Sequence, residues 1–304
     1  SMYMKTSLYK SLKEHTAGTF GGIGVTMGFK DDKVTIMSVL EGTPGEEVGL
    51  KVGDEILSVD GTPVSEYQPE EVALHIRGEA GTEVNLMIHR AEEEDKEYTI
   101  ERDMIKVRSA KGKLLDDSNL GYIRIASFGE NTGDEFKEEY NKLKDSGMTG
   151  LILDLRQNPG GLITSCVEVA DMLVPKGNIV SVVQRDGSRE SYDSDLEEAP
   201  YPLVVLIDEN SASASEILAG ALQDREAATI VGTKSYGKGS VQVVVPLFHN
   251  DGLKLTIAKY YTPSGKCIDG IGIEPDITVN LPEDVLEDTQ LNMAKEVLQK
   301  KISE

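Results

Sequence analysis

Leu203-Val204-Val205-Leu206-Ile207-Asp208-Glu209-Asn210-Ser211-Ala212-Ser213-Ala214-Ser215-Glu216-Ile217 carries the decision about the fold. Its first five residues are uniformly apolar and mostly β-branched, the composition of a strand buried on both faces in an α/β sheet. Small polar residues then turn the chain, and the run from Ile217 to Gln223 continues as a helix. Ser213-Ala-Ser-Glu216 has the form of a capping box, which puts Ser213 at the N-cap and Ala214 at the first helical position. A hydroxyl there sits beside unpaired backbone N–H groups and the positive end of the helix dipole, where negative charge is favoured. Taken alone, such a serine only caps its helix.

A partner changes that reading. Gly237-Lys238-Gly239-Ser240-Val241-Gln242 holds one lysine between glycines, followed by an apolar strand, Val241 to Leu247. The helix can cross back and the strand Thr229-Ile230-Val231 can then deliver Lys238 beside Ser213, so a Ser/Lys dyad is geometrically possible. On these two motifs the chain resembles the carboxyl-terminal processing peptidases, tail-specific serine proteases of family S41 that carry a PDZ domain. The resemblance implies that Ser213 is the nucleophile, Lys238 its base and Gln242 the residue that orients the lysine. Ser211 and Ser215 are weaker nucleophile candidates, because only the N-cap position pairs a hydroxyl with a following donor. For the chemistry to run, burial must bring the amine well below its usual pKa of about 10.4.

A second strand–turn–helix lies upstream. Gly150 to Leu155 reads as a buried strand, Arg156-Gln157-Asn158-Pro159-Gly160-Gly161 as a turn, and Leu162 to Leu173 as a helix. Two helix N-termini could then face one crevice at the carboxyl ends of the strands. The resemblance assigns an oxyanion hole to the backbone N–H groups of Gly160 and Ala214. The family usually shows Leu-Arg-Asn-Asn-Pro-Gly-Gly, and Gln157 replaces the first Asn; backbone donors leave the hole unaffected by that change. With helices over Asp134 to Asp145 and Pro282 to Ile302, the expectation for 104–304 is an α/β protease core, a crotonase/ClpP-like sheet with flanking helices. The last helix fits a homodimer contact and packing on its own core equally well.

Residues 19–103 show a different texture of short strands and two helices, and this order resembles a PDZ domain of the kind found in bacterial proteases. Small residues at Gly21, Gly22 and Gly24, on either side of Ile23, would let backbone N–H groups converge on a peptide carboxylate, with the adjacent strand pairing the peptide main chain. Val72 and Ile76, on the helix Pro69 to Arg77, are expected to line a side-chain pocket. Arg77 reads either as a cation complementing the dipole of that helix or as a link between peptide capture and the active site. Residues 1–18 hold one short helical pattern, Leu8 to Lys13, and read as the remnant of an N-terminal segment; Ser1-Met2 has the look of a cloning scar.

Composition narrows the partners. With 31 basic against 53 acidic residues the net charge is −22, which repels nucleic-acid phosphates and anionic membranes. Two distant cysteines, Cys166 and Cys267, form neither a disulfide framework nor a metal motif and are expected to be buried thiols. The four histidines support no Ser-His-Asp triad, and no metal or organic cofactor is called for. Gly232-Thr-Lys-Ser-Tyr-Gly237-Lys238-Gly239 nearly spells a phosphate-binding loop, but it lacks the Ser or Thr hydroxyl after the lysine and leads into a strand. A non-catalytic PDZ adaptor on a crotonase-like scaffold is the rival to a protease acting on protein tails with free carboxyl ends. The resemblance implies an extracytoplasmic, membrane-tethered enzyme.

Overall fold

The computed structural model describes residues 1–30, 33–115, 118–281 and 287–303. It divides into two compact units, Thr19–Val107 and a larger one that joins Ser1–Gly18 to Arg108–Glu304.

In the smaller unit an antiparallel sheet runs in the order Val25–Lys30, Lys33–Val39, Glu55–Val59, Glu83–His89, Lys96–Glu101. Strict alternation in Glu83–His89 sends Val84, Leu86 and Ile88 inward, and they pack with Ile36, Ile56 and Ile100. One turn apart on helix Pro69–Ile76, Val72 and Ile76 close this core, as i, i+4 neighbours on one helix face must. The hairpin turn at Asp60-Gly61 needs positive φ at both residues, 49° and 78°, which is why a glycine follows the aspartate. A separate pair, Thr19–Gly22 with Asp103–Lys106, sets the entering and leaving chains side by side.

The larger unit is built on a six-stranded sheet in the order Ala110–Leu114, Leu120–Ile125, Gly150–Asp154, Leu203–Ile207, Thr229–Gly232, Ile277–Thr278. Only the first strand is antiparallel to its neighbour. Gly150–Asp154 and Leu203–Ile207 are buried at every position, because helices cover both faces. On one face Leu153, Val205 and Ile207 meet Phe136, Cys166 and Ile217 from helices Thr132–Asp145, Ile163–Asp171 and Ala214–Asp224. On the other, Ile152, Val204 and Leu206 meet Ala294 and Leu298 of helix Thr289–Ser303. A second, antiparallel sheet carries Gly252–Tyr261 at its centre, with Ser240–Pro246 along one side and Met2–Met4 and Gly177–Gln184 sharing the other.

One difference from the sequence reading has a plain cause. Residues 1–18 form a strand and a twelve-residue helix, Thr6–Ala17, within the larger unit. Met2–Met4 is a strand only because it pairs with Gly252–Lys254, with Tyr3 and Thr6 both bonded to Asp251; no local pattern announces such a contact. The last helix is described from Thr289, and its expected start at Pro282 lies outside the described residues. As expected, Lys238 leads into a strand, Ser240–Pro246, where a phosphate-binding loop needs a helix.

Candidate active site

The strand Leu203–Ile207 ends at the sheet's carboxyl edge, and the chain must reverse within a few residues to start helix Ala214–Asp224. It does so with Ser213 at φ 55°, ψ −112°, a conformation that side-chain-bearing residues avoid and that costs about 1–3 kcal/mol. Such a turn holds its hydroxyl out from the sheet, as the nucleophile elbow of hydrolases does.

The three serines of the turn have different fates. Ser211 Oγ donates to the Leu155 carbonyl at 2.9 Å, and Ser215 Oγ to the Asn158 carbonyl at 3.0 Å; both residues are wholly buried. Their hydroxyls are committed to structure. Ser213 keeps 7% of its surface exposed, and its hydroxyl meets the phenol of Tyr260. Burial first, with Cys166 and Tyr192 nearby, pushes that phenol up to about 12, the hydrogen bond from Ser213 opposing. Ser213 is thus the only one of the three whose hydroxyl does not donate to a backbone carbonyl among the described residues.

Asn158 fastens the second turn to the first. Its carbonyl also accepts the Ala212 N–H at 3.0 Å, and its amide donates to the Ile125 carbonyl at 2.9 Å. Gly160, at φ 95°, lies so close that a methyl group on it would stand 2.6 Å from the Ala212 oxygen and 2.8 Å from Ser213 Cβ. No side chain fits, and the two turns touch backbone to backbone. The oxyanion reading meets one obstacle in this conformation: the Gly160 N–H donates to Asn158 Oδ1 at 2.9 Å. Ala214 N–H, at the first position of its helix, has no acceptor among the described residues. Gln157 takes φ 61° and donates from its backbone and side chain to Asp208. Asparagine tolerates that left-handed conformation better than glutamine, which accounts for the residue the family usually carries.

Lys238 comes from the loop before Ser240–Pro246 and is half-buried. Burial first, and then the neighbouring Lys254, holds its amine below the ordinary 10.5, while Glu216 pulls the other way. Among the described residues no hydrogen bond joins Lys238 Nζ to Ser213. Gln242 lies on the strand itself, opposite Thr256, and its amide reaches Thr256 Oγ1 at 3.4 Å rather than the lysine.

By its sequence context Glu216 is a capping residue alone. Its Oε2 does accept the Ser213 N–H at 2.8 Å. The same oxygen accepts the Lys238 N–H at 2.8 Å, and Oε1 accepts the Gly237 N–H and Ser235 Oγ, each at 2.6 Å. The carboxylate is wholly buried. A partner so far along the chain leaves no local signal, although a glutamate that is buried on every side needs donors from somewhere.

In the smaller unit Gly22, Ile23 and Gly24 are all buried, Gly24 at φ 78°. The Ile23 and Gly24 N–H groups have no acceptor among the described residues. Val72 and Ile76 are 1% and 3% exposed and belong to the core, with Ile23. The cation at the end of their helix is not Arg77 but Arg102, whose guanidinium donates to the carbonyls of Ile76 at 2.8 Å and His75 at 3.0 Å. Arg77 is exposed and stacks over the Phe20 ring, 4.2 Å from its centroid. Of the two thiols Cys166 is buried, but Cys267 is half-exposed and lines a cavity beside Asp224 and Lys266. No cluster among the described residues has the makings of a metal site.

The profile of peptidase family S41 matches residues 119–279, and that of the PDZ domain residues 21–101. The carboxy-terminal-processing protease of Bartonella bacilliformis is 41% identical over 292 residues, covering 93% of this chain and 66% of that protein. The carboxyl-terminal-processing protease of Synechocystis is 39% identical over 287 residues, covering 92% and 67%. The chain therefore spans about two thirds of the length of these relatives. Among solved structures, a photosystem II D1 C-terminal processing protease superposes with a TM-score of 0.56 at 33% identity, covering 97% of this chain and 81% of that one.

Proposed function

The chain belongs to peptidase family S41 and carries a PDZ domain, and on that premise we propose that it is a serine endopeptidase cutting protein substrates near their carboxyl ends with a Ser213/Lys238 dyad. The observation that supports this most is the contrast within one turn: Ser211 and Ser215 are bound to carbonyls, and Ser213, at the strained N-cap, is not.

In this reading the neutral Lys238 amine takes the Ser213 proton as Oγ attacks the scissile carbonyl. The Ala214 N–H meets the developing oxyanion, joined by the Gly160 N–H once Asn158 Oδ1 releases it; each such donor is worth about 3 kcal/mol. The protonated lysine returns its proton to the leaving amine, and water, activated by the same lysine, hydrolyses the acyl-enzyme. Gln242 orients the amine after a side-chain rotation away from Thr256.

The substrate tail enters the smaller unit. Its carboxylate meets the Gly22, Ile23 and Gly24 backbone, and its last side chain enters a pocket opened over Val72 and Ile76. Arg77 reports occupancy of that groove to the dyad, so the PDZ domain gates cleavage. The enzyme works outside the cytoplasm, tethered to a membrane by sequence beyond this chain, and pairs into homodimers through its terminal segments.

The test is cleavage of a peptide with a free apolar carboxyl end by the wild-type chain, Ser213→Ala and Lys238→Ala. Turnover falls at least about 10³-fold in each variant, the usual cost of losing a nucleophile or its base. Binding of the peptide without turnover by the wild type is the result of a non-catalytic adaptor. Arg77→Ala cleaves peptides with and without a groove-binding tail at one rate; a preserved difference removes the gating role.

A further inference from the structure

Helix Ala214–Asp224 and the loop before Ser240–Pro246 belong to different sheets' connections, so the two reacting side chains have no covalent reason to stay in register. We propose that Glu216 is the positioning residue that locks the nucleophile turn to the base loop, one carboxylate fixing the backbone of Ser213 and that of Lys238 at once. This rests on the Ser213/Lys238 reading above.

The geometry leaves little else for Glu216 to do. A capping box needs one bond from the glutamate to the N-cap N–H, and Glu216 makes that bond with Oε2 at 2.8 Å. The three further bonds all go to Ser235, Gly237 and Lys238. Ser213 N and Lys238 N therefore share one oxygen atom. Bonds to an ionised acceptor are the short, strong kind, and burial in a low dielectric strengthens them further. The loop cannot shift along the helix without stranding a charge that has no water to turn to. Ser235 carries the brace outward, since its Oγ also accepts the Ile273 N–H at 2.7 Å.

The carboxylate has a second effect on the same lysine. Around Lys238 stand Glu216 from the helix and Lys254 from the central strand. Nearby on that strand, Tyr260 meets the Ser213 hydroxyl, and its N–H donates to the Gly239 carbonyl. Asp269, packed against Gly239, is paired with Lys259 at 3.0 Å. Glu216 is thus the carboxylate that favours the protonated amine, and the limb on which activity rises with pH lies higher with it than without it.

Glu216→Gln keeps the shape but turns an amide N–H toward the donors. Measured on the full chain with a cleavable peptide, kcat falls about 10²-fold, the scale of an ångström's misplacement, KM stays within about threefold, and the rising limb of the pH profile moves to lower pH. Ser235→Ala is the gentler variant: the carboxylate loses one donor, its charge is less compensated, and the limb moves to higher pH with kcat down about tenfold. Folding of each variant is checked by its thermal transition. A folded Glu216→Gln with wild-type kcat overturns the proposal, and so does a fall in kcat with the limb unmoved, which is what a purely structural brace produces. If Glu216→Gln does not fold, an unmoved limb in Ser235→Ala overturns it. Ser213→Ala and Lys238→Ala run alongside: turnover surviving in either contradicts the dyad, whereas loss in both with an unaffected Glu216→Gln contradicts only the role of Glu216.

Discussion

Ser213 sits at φ 55°, ψ −112°, and the strain belongs to its Cβ. Replacing it by glycine removes the clash, while replacing it by alanine keeps it. The two variants differ by one methyl group and both lack the hydroxyl, so their comparison isolates the backbone cost of the turn. Ser213→Gly is expected to unfold about 1–2 kcal/mol less readily than Ser213→Ala, less than the full strain because the unfolded glycine chain is freer. Thermal or urea unfolding checks this; equal stabilities mean that the turn is relaxed. Ser211 and Ser215 cannot take the place of Ser213. Each would have to abandon a backbone carbonyl inside the protein, leaving a buried acceptor unsatisfied.

Among the elements, helix Thr289–Ser303 packs on one face of the sheet, over Ile152, Val204, Leu206 and Val231, and its first turn is pinned by one side chain. Asp288 accepts the Leu291 N–H at 2.9 Å as an N-cap and both Arg156 terminal nitrogens at 2.8 Å. Arg156 is itself bonded to buried Asp154, which also accepts Tyr122 Oη at 2.6 Å. Arg156 opens the turn that carries Asn158 and Gly160, so the far helix steadies that turn. Asparagine caps as well as aspartate, so Asp288→Asn keeps the cap while removing the charge and one of the two oxygens that accept from Arg156; it is expected to cost about 1–2 kcal/mol at neutral pH, allowing for partial exposure. Burial pushes the Asp288 carboxyl up, yet the Arg156 and Leu291 bonds outweigh it and hold the group below its ordinary 3.8. A lowered carboxylate stabilises above its unfolded value and stops doing so as pH falls through its folded one. The gap in melting temperature between wild type and Asp288→Asn is therefore full at pH 7 and shrinks below about pH 4. A gap that is constant to pH 3 contradicts the ion pair.

For the whole molecule, what the sequence disclosed and what it hid divide along one physical line. The buried strands, the strand–turn–helix at Ser213 and the alternating strands of the smaller unit are set by neighbours within a few residues, and they lie where periodicity and caps put them. Hidden were the features made by distant partners. Met2–Met4 becomes a strand through Gly252–Lys254; Arg102 rather than Arg77 caps the helix Pro69–Ile76; Glu216 answers to Lys238. Gln242, expected beside the lysine, faces Thr256. Each depends on hydrogen bonds between residues well separated in the chain, and such bonds leave no periodic trace in the sequence. The charge of −22 adds a setting rather than a fold, repelling nucleic-acid phosphates and anionic surfaces. Everything proposed for it returns to one amine. Burial and Lys254 together lower Lys238 from 10.5 against the pull of Glu216, so a lysine can serve as a base only as pH rises through that lowered value. The most direct measurement is an NMR titration of Lys238, with carbon-13 at the side-chain ε position, in the intact chain. The account predicts a midpoint below 10.5 that coincides with the rising limb of peptide cleavage; a midpoint at or above 10.5, or a limb that ignores it, contradicts the dyad.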